Sequence, residues 1–326
     1  MPQQTTNRAP ARFIGCDVGK QHIVVFDSTG GKARQIENRP RALAAFARSL
    51  DADCLALCEA TGGHEAALLE ALTAAGIPAH RADARKVKAF IRSWGTLGKS
   101  DGIDARALAR YGAERHDHLR RWSAPDRQRA RLQALVRTRR DLVDERTAHN
   151  NRLGAPGGKI AAPYLKKLIA CLERQILRIE ADIQTLLADC EELARCRRAL
   201  TEIKGIGPTT AATLIALMPE LGTLTRRQTA ALAGLAPHPN QSGLTDGYRR
   251  TRGGRTEIKQ ALFLPALTAG RHHPTLSLFH KRMIQDGKKP IVAATAVMRK
   301  LIVIANAKIR DEFALDIKLA AQTYLS

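Results

Sequence analysis

The chain has 326 residues, with 53 lysines and arginines against 31 aspartates and glutamates, a formal net charge of +22 and a pI near 10.4. Such a charge favours a polyanionic partner and salt-dependent binding, because each neutralised phosphate releases counterions. The hydrophobic fraction of 44% excludes disorder throughout and allows two or three folded units. Aromatic residues make up only 4%, so base stacking is not expected to dominate binding.

The beginning of the chain lacks the apolar run of a leader sequence, and no later segment has the roughly 18 uninterrupted apolar residues of a membrane span. The sequence therefore predicts a cytoplasmic protein with no membrane partner. Its six cysteines form no CxxC pair and three of them lie in apolar strand-like runs, which indicates structural thiols rather than a metal or redox motif.

The N-terminal part predicts a mixed α/β domain, because a hairpin of two strands precedes strands that alternate with helices. Strands are predicted over residues 12–17, 22–28, 54–58 and 77–80, and helices over 41–50, 64–75, about 83–93 and about 102–113. Residues 126–200 predict two long helices, broken by the glycine-bearing and proline-bearing segment 150–158. This pair is either a packed spacer or a coiled-coil dimerisation arm. From residue 201 compact helices are predicted around a loop-rich segment, 237–254.

Four acids form a candidate metal site. Asp17 ends the first strand and Glu59 follows the buried strand 54–58, so neighbouring strands would bring both acids to one sheet edge. Asp101 and Asp104 are three residues apart at a helix start and share a face. Four converging carboxylates repel one another unless Mg²⁺ or Mn²⁺ lies between them, and such ions assist phosphoryl transfer. Alternatively, these acids are helix caps and solvated strand ends.

Ser242 is a candidate nucleophile, because it alone among eight serines lies in a polar, glycine-bearing loop rich in arginine. Attack on a phosphodiester needs a hydroxyl in line with the leaving oxygen and cations that stabilise the transition-state charge. Alternatively, Ser242 belongs to a turn that only contacts phosphate. The neighbouring cations expected to contact phosphate are Arg249, Arg250, Arg252 and Arg255.

Residues 203–212 predict a helix-hairpin-helix, in which a tight glycine turn presents backbone amides to a phosphate. The residues expected at this contact are Lys204, Gly205, Gly207 and Thr209. The alternative is an ordinary connection between helices. Basic segments 81–99 and 281–300 extend the nucleic-acid surface or are solvated faces.

Six groups of residues together resemble transposases of insertion-sequence family 110, across nearly the whole chain. They are residues 15–20 (GCDVGK), 58–62 (CEATG), 99–105 (KSDGIDA), 205–207 (GIG), 233–237 (AGLAP) with 242–243 (SG), and 298–301 (MRKL). The resemblance implies an α/β RuvC-like domain (RNase H fold) over residues 1–118 and a helical coiled-coil segment over 119–198. It also implies a mainly α C-terminal transposase domain over 199–326, with a helix-hairpin-helix.

The resemblance further implies a DEDD metal site at Asp17, Glu59, Asp101 and Asp104, and a serine nucleophile at Ser242. Partners would be a guide (bridge or seeker) RNA, donor and target double-stranded DNA, and further copies of the chain in dimers and tetramers. The 1111 subgroup is the nearest match expected within the family, and a bacterial cytoplasmic, nucleoid-associated protein follows. Two other functions remain open: a hydrolytic RuvC-like junction nuclease and a non-enzymatic nucleic-acid-binding protein.

Overall fold

The computed structural model describes residues 9–95, 101–124, 126–242 and 245–323, and the side chains of these residues apart from 101, 240–242, 245–248 and 315–323. The chain divides into two compact units, Met1–Pro125 and Asp126–Ser326. The long helices after residue 126 belong to the second unit, and the finer division at residues 118 and 198 stays a prediction. The two units are described separately.

A five-stranded mixed sheet forms the centre of the first unit, with strand order β3-β2-β1-β4-β5. Its strands are β1 (Arg12–Val18), β2 (His22–Asp27), β3 (Ala33–Glu37), β4 (Cys54–Glu59) and β5 (Ala79–Ala82). Strand β2 pairs antiparallel with both β1 and β3, whereas β4 pairs parallel with both β1 and β5. The predicted hairpin, buried strand and edge strand are confirmed.

Helices cover both faces of this sheet. On one face, α1 (Pro40–Arg48) and α2 (Ala66–Ala74) pack on side chains of β1 and β4. On the other face lie α3 (Ala84–Ser93) and α4 (Asp101–Arg115), followed by a 3₁₀ helix, His116–His118. The unit is thus the predicted mixed α/β domain, consistent with a RuvC-like domain.

Strand β3 was not predicted, because its sequence lacks the apolar alternation of a half-buried strand. Ile36 alone among its five residues is partly buried, and the others are exposed. Backbone pairing with β2 therefore forms this edge strand with little help from side-chain burial.

The second unit is mainly helical. Its helices are α5 (Arg127–Gly154), α6 (Gly158–Asp189), α7 (Glu191–Thr201), α8 (Pro208–Leu217), α9 (Arg226–Leu232), α10 (Thr256–Ala261), α11 (Phe263–His272), α12 (Pro274–Gln285) and α13 (Pro290–Thr323). An ion pair between Arg139 and Glu180 joins the antiparallel helices α5 and α6, confirming the predicted helical hairpin. Cys190 separates α6 from α7, so the segment contains three helices rather than two.

The segment predicted as a loop between residues 237 and 254 contains a β-hairpin, so that prediction is wrong. Strands β6 (Pro237–Ser242) and β7 (Thr245–Thr251) pair antiparallel, with an irregularity between His238 and Asn240. The prediction failed because the sequences of these strands, PHPNQS and TDGYRRT, lack the alternation of apolar and polar residues that normally identifies a strand.

Helix α13 contains one segment, Pro290–Ala314, that is long and apolar enough by composition to cross a membrane. In the second unit this segment instead provides buried side chains to the core, among them Val297, Leu301 and Ile302. Burial inside the unit accounts for its apolar composition, and it is not evidence for a membrane protein.

Candidate functional site

Alternation along two neighbouring strands places Asp17 and Glu59 on one face of the sheet. Side chains alternate between faces, so Asp17 continues the face of Phe13 on β1, and Glu59 continues the face of Leu57 on β4. Phe13 and Leu57 lie in the core cluster that also contains residues of α3 and α4. Since Cys16 and Cys58 are in register, the two acids that follow them lie at the same sheet edge.

Helix α4 brings Asp104 to this edge because it packs directly on the backbone of β1. A Cβ atom at Gly15 would lie 1.9 Å from the Ala105 carbonyl oxygen and 2.6 Å from the Ala109 amide nitrogen. Only glycine permits this approach, and Asp104 is the residue before Ala105. Packing of α4 on β1 thus brings Asp104 towards the sheet edge where Asp17 and Glu59 lie, and the role of these acids stays a prediction.

The three acids influence one another electrostatically. The pKa of Glu59 is raised, chiefly by burial and further by the negative charges of Asp17 and Asp104, while Lys88 opposes the shift. Half-buried carboxylate oxygens are the donors that Mg²⁺ or Mn²⁺ prefers, and a divalent cation would offset the repulsion that the other two acids exert on Glu59. The donor chemistry thus fits a hard divalent ion.

Within the described side chains, however, no three Asp, Glu, His or Cys residues form a group able to hold a metal ion together. Asp101 begins α4, but its side chain lies outside the described part of the chain. The motif residues Lys99 and Ser100 lie outside it as well. The full set of four ligands consequently remains a prediction.

A further acid at this edge, Glu65, was not singled out from the sequence. Its side chain is 3% exposed, accepts hydrogen bonds from the loop after Glu59 and pairs with Arg81. The adjacent glycines Gly62 and Gly63 were the sequence signal for a tight turn at this acid, because both have positive φ in the structure.

Ser242 is the last residue of β6 and pairs with Thr245 of β7. Its side chain and residues 243–244 lie outside the described part. The base of this hairpin is fixed by backbone packing, because a Cβ at Gly254 would lie 2.2 Å from the Gly234 nitrogen. The Arg255 amide also donates to the Leu232 carbonyl at 2.8 Å.

The four arginines near Ser242 do not share one role. Arg249, Arg250 and Arg252 are exposed, as expected for phosphate contacts. The Arg255 guanidinium instead makes two contacts of 2.7 Å with Glu220, together with a 2.8 Å hydrogen bond to the Leu217 carbonyl. Arg255 therefore supports the base of the hairpin. Its guanidinium is occupied by Glu220 and the Leu217 carbonyl, rather than exposed for the predicted contact with phosphate.

The predicted helix-hairpin-helix segment is a short connection between α7 and α8. Lys204, Gly207 and Thr209 are exposed, and Gly207 precedes Pro208 at the start of α8. Gly205 has a φ of +107°, and a Cβ there would lie 2.8 Å from the Pro265 carbonyl oxygen. Gly205 thus serves packing against α11, while its neighbours remain accessible to a ligand.

Two basic surfaces lie within the separate units. In the second unit, Arg249, Arg250 and Arg299 line one groove between β7 and α13. In the first unit, a cleft between β5, α3 and the end of α4 is lined by His80, Arg81, Asp83, Lys86, Arg115, His118 and Arg120, among others. Both surfaces have the charge expected of contacts with nucleic-acid phosphates.

Comparison with known proteins identifies the family. Residues 14–155 match a DEDD transposase model of the IS110 type, and residues 197–281 match the model described as "Transposase IS116/IS110/IS902 family". The chain is similar to the "Pilin gene-inverting protein" of Moraxella lacunata, with 31% identity over 239 residues, covering 71% of this chain and 72% of that protein. It is also 30% identical over 208 residues to the "Insertion element IS110 uncharacterized 43.6 kDa protein" of Streptomyces coelicolor, covering 63% of this chain and 49% of that protein. The chain belongs to the IS110 family of transposases, enzymes of DNA recombination and transposition.

Proposed function

We propose that this transposase cleaves and rejoins donor and target DNA by phosphoryl transfer at Asp17, Glu59, Asp101 and Asp104, with Ser242 as the nucleophile. The observation that carries the proposal is that Asp17 and Glu59 lie at one edge of the same sheet face, against which α4 with Asp104 packs. The pKa of Glu59 is raised chiefly by burial and further by the charges of Asp17 and Asp104. When bound, Mg²⁺ or Mn²⁺ would supply charge stabilisation to phosphoryl oxygens. The four carboxylates would hold the ion.

The serine step conserves the energy of the phosphodiester. The Oγ of Ser242 loses its proton and bonds to phosphorus, while the bond from phosphorus to one strand end breaks and that end leaves as a hydroxyl. Attack of a strand-end hydroxyl on the phosphoserine reverses both changes and joins the new strand. The exposed Arg249, Arg250 and Arg252 stabilise the charge that develops on the phosphoryl oxygens.

A denaturing gel with labelled DNA tests this mechanism. Wild-type protein should form a covalent adduct that survives denaturation, and Ser242→Ala should abolish it. Ser277→Ala, which alters a serine on α12, is the matched control and should retain the adduct. Cleavage by Ser242→Ala at the wild-type rate without any adduct would instead support the hydrolytic nuclease. DNA binding without cleavage in wild-type protein would support the non-enzymatic alternative.

We propose that a guide RNA selects the donor and target sequences. The chain carries a net charge of +22 with only 4% aromatic residues, which suits contacts to nucleic-acid backbones more than base reading by the protein. RNA that co-purifies with the full-length protein should have one defined sequence that pairs with both DNA sites. Recombination that persists after complete removal of RNA would contradict the proposal.

We propose self-association as dimers and tetramers through a coiled-coil arm formed by α5 and α6. Ile160, Tyr164 and Leu168 share one face of α6 and are 88%, 74% and 49% exposed, so a partner copy would bury substantial apolar surface. Tyr164→Glu should lower the mass measured by light scattering, whereas Lys166→Glu on another face should not. Equal masses for all three proteins would refute this arm as the interface.

The connection between α7 and α8 is proposed to act as a helix-hairpin-helix that contacts phosphate through Lys204, Gly207 and Thr209. Their exposure at the start of α8 supports this assignment. Lys204→Ala should weaken binding to DNA of any sequence, and unchanged affinity would contradict the contact.

A cytoplasmic, nucleoid-associated location is proposed on the basis of the net charge.

A further inference from the structure

Two loops follow the strands that carry Asp17 and Glu59, and side-chain hydrogen bonds fix the conformation of both loops. One loop begins at Gly19 after β1, and the other begins at Ala60 after β4. Carboxylates that face each other without a cation push their strand ends apart, so the positions of these loops determine the geometry offered to a metal. Neither loop contains a large apolar residue.

The loop after Glu59 is organised around the Glu65 carboxylate. One oxygen of Glu65 accepts hydrogen bonds from the Thr61 amide at 3.1 Å, the Thr61 hydroxyl at 3.3 Å and the Gly63 amide at 2.9 Å. Positive φ angles at Gly62 and Gly63, +70° and +103°, turn the loop back so that its amides face inward. The other oxygen lies 2.7 Å from Nη2 of Arg81 on β5, which is in register with Cys58. Both oxygens of Glu65 are therefore engaged by groups of the loop and by Arg81.

The two loops are joined by one amide side chain. Nδ2 of Asn38 donates to the Gly19 carbonyl at 2.9 Å and to the His64 carbonyl at 3.2 Å. Gly19 lies two residues after Asp17, and His64 adjoins Glu65. Asn38 thus connects the segment after one acidic strand end to the segment after the other.

We propose that Asn38, Glu65 and Arg81 are positioning residues that hold Asp17 and Glu59 at the separation required by a divalent cation. The proposal rests on the metal site proposed above. Mg²⁺ requires near-ideal octahedral geometry with oxygens about 2.0–2.1 Å away, so small displacements of strand-end acids weaken its binding. Groups that orient ligands in this way typically change metal affinity by about 10- to 100-fold when removed.

The test measures Mn²⁺ binding to the full-length protein from the electron paramagnetic resonance signal of the free ion. Asn38→Ala and Glu65→Gln should each raise the Mn²⁺ dissociation constant by about 10- to 100-fold. Metal-free Asn38→Ala should unfold within a few degrees of wild type, since its side chain is only half-buried. If Glu65→Gln does not fold, Asn38→Ala decides the outcome. Matched controls are Asn150→Ala on α5 and Glu114→Gln on α4, both expected to bind Mn²⁺ as wild type does.

The outcomes separate this proposal from the metal site on which it rests. Loss of Mn²⁺ binding in Asp17→Asn, with wild-type binding in both Asn38→Ala and Glu65→Gln, would overturn the positioning role and leave the metal site standing. Absence of Mn²⁺ binding by wild-type protein would overturn both. Weakened binding in the two variants together with a large fall in metal-free stability of Asn38→Ala would show a general structural role and also overturn it.

Discussion

Replacement of Gly15 by alanine should displace α4 from β1. The added Cβ would lie 1.9 Å from the Ala105 carbonyl oxygen, and separations below 3.0 Å are essentially never seen for real Cβ atoms. Relief of this contact requires a displacement of about 1.1 Å by backbone atoms, which cannot rotate away as a side chain does. Overpacking of this kind costs about 3 kcal/mol. Because Asp104 precedes Ala105, recombination activity should fall as well.

Tryptophan fluorescence measures this effect in the first unit alone, because both tryptophans, Trp94 and Trp122, lie there. With a urea m-value of about 1.5 kcal/mol/M, a loss of 3 kcal/mol lowers the unfolding midpoint by about 2 M. Gly102→Ala is the matched control on α4, since its nearest contact would be an ordinary 3.7 Å to the Ala33 Cβ. Equal midpoints for Gly15→Ala and wild type would refute the close packing of α4 on β1.

Three further predictions concern charge and glycine packing. Hydrogen bonds from Arg12 lower the pKa of Asp27 to about 2 from 3.8, so ionised Asp27 contributes roughly 2 kcal/mol at neutral pH. Urea titrations of wild type and Asp27→Asn should differ by this amount above about pH 4 and converge as the pH falls towards 2. Gly254→Ala should destabilise the second unit well beyond Gly253→Ala in thermal unfolding, because both have positive φ but only Gly254 meets opposing backbone within 4 Å. Lys86→Ala should weaken nucleic-acid binding equally for all sequences and lower the slope of log affinity against log salt by about one. An unchanged slope would exclude the cleft of the first unit from the binding surface.

The central strands of the first unit could be predicted because buried strands have continuous apolar sequences. The run Cys54–Glu59 is apolar up to its final acid, and all of its residues but that acid are buried. Edge elements gave no such signal, since β3 and the hairpin of the second unit depend on backbone pairing between polar residues. Sequence patterns reveal side-chain burial more readily than backbone pairing.

The acids of the candidate site could be predicted more completely than the residues around them. Asp17 and Glu59 each end an apolar run that forms a strand, so the sequence alone could place them near the ends of their strands. The contact between Gly15 and α4 depends on residues about ninety positions apart, and no local pattern specifies it. Asn38 likewise joins two distant carbonyl groups, so only the folded chain reveals its position.

The glycines under the β6–β7 hairpin have a consequence for how such enzymes diverge. Gly234 and Gly254 meet at the base of the ribbon by main-chain contact, so a side chain at either position would push this base away from the helix that ends at Leu232. We therefore expect both glycines to persist in related transposases even where neighbouring residues differ.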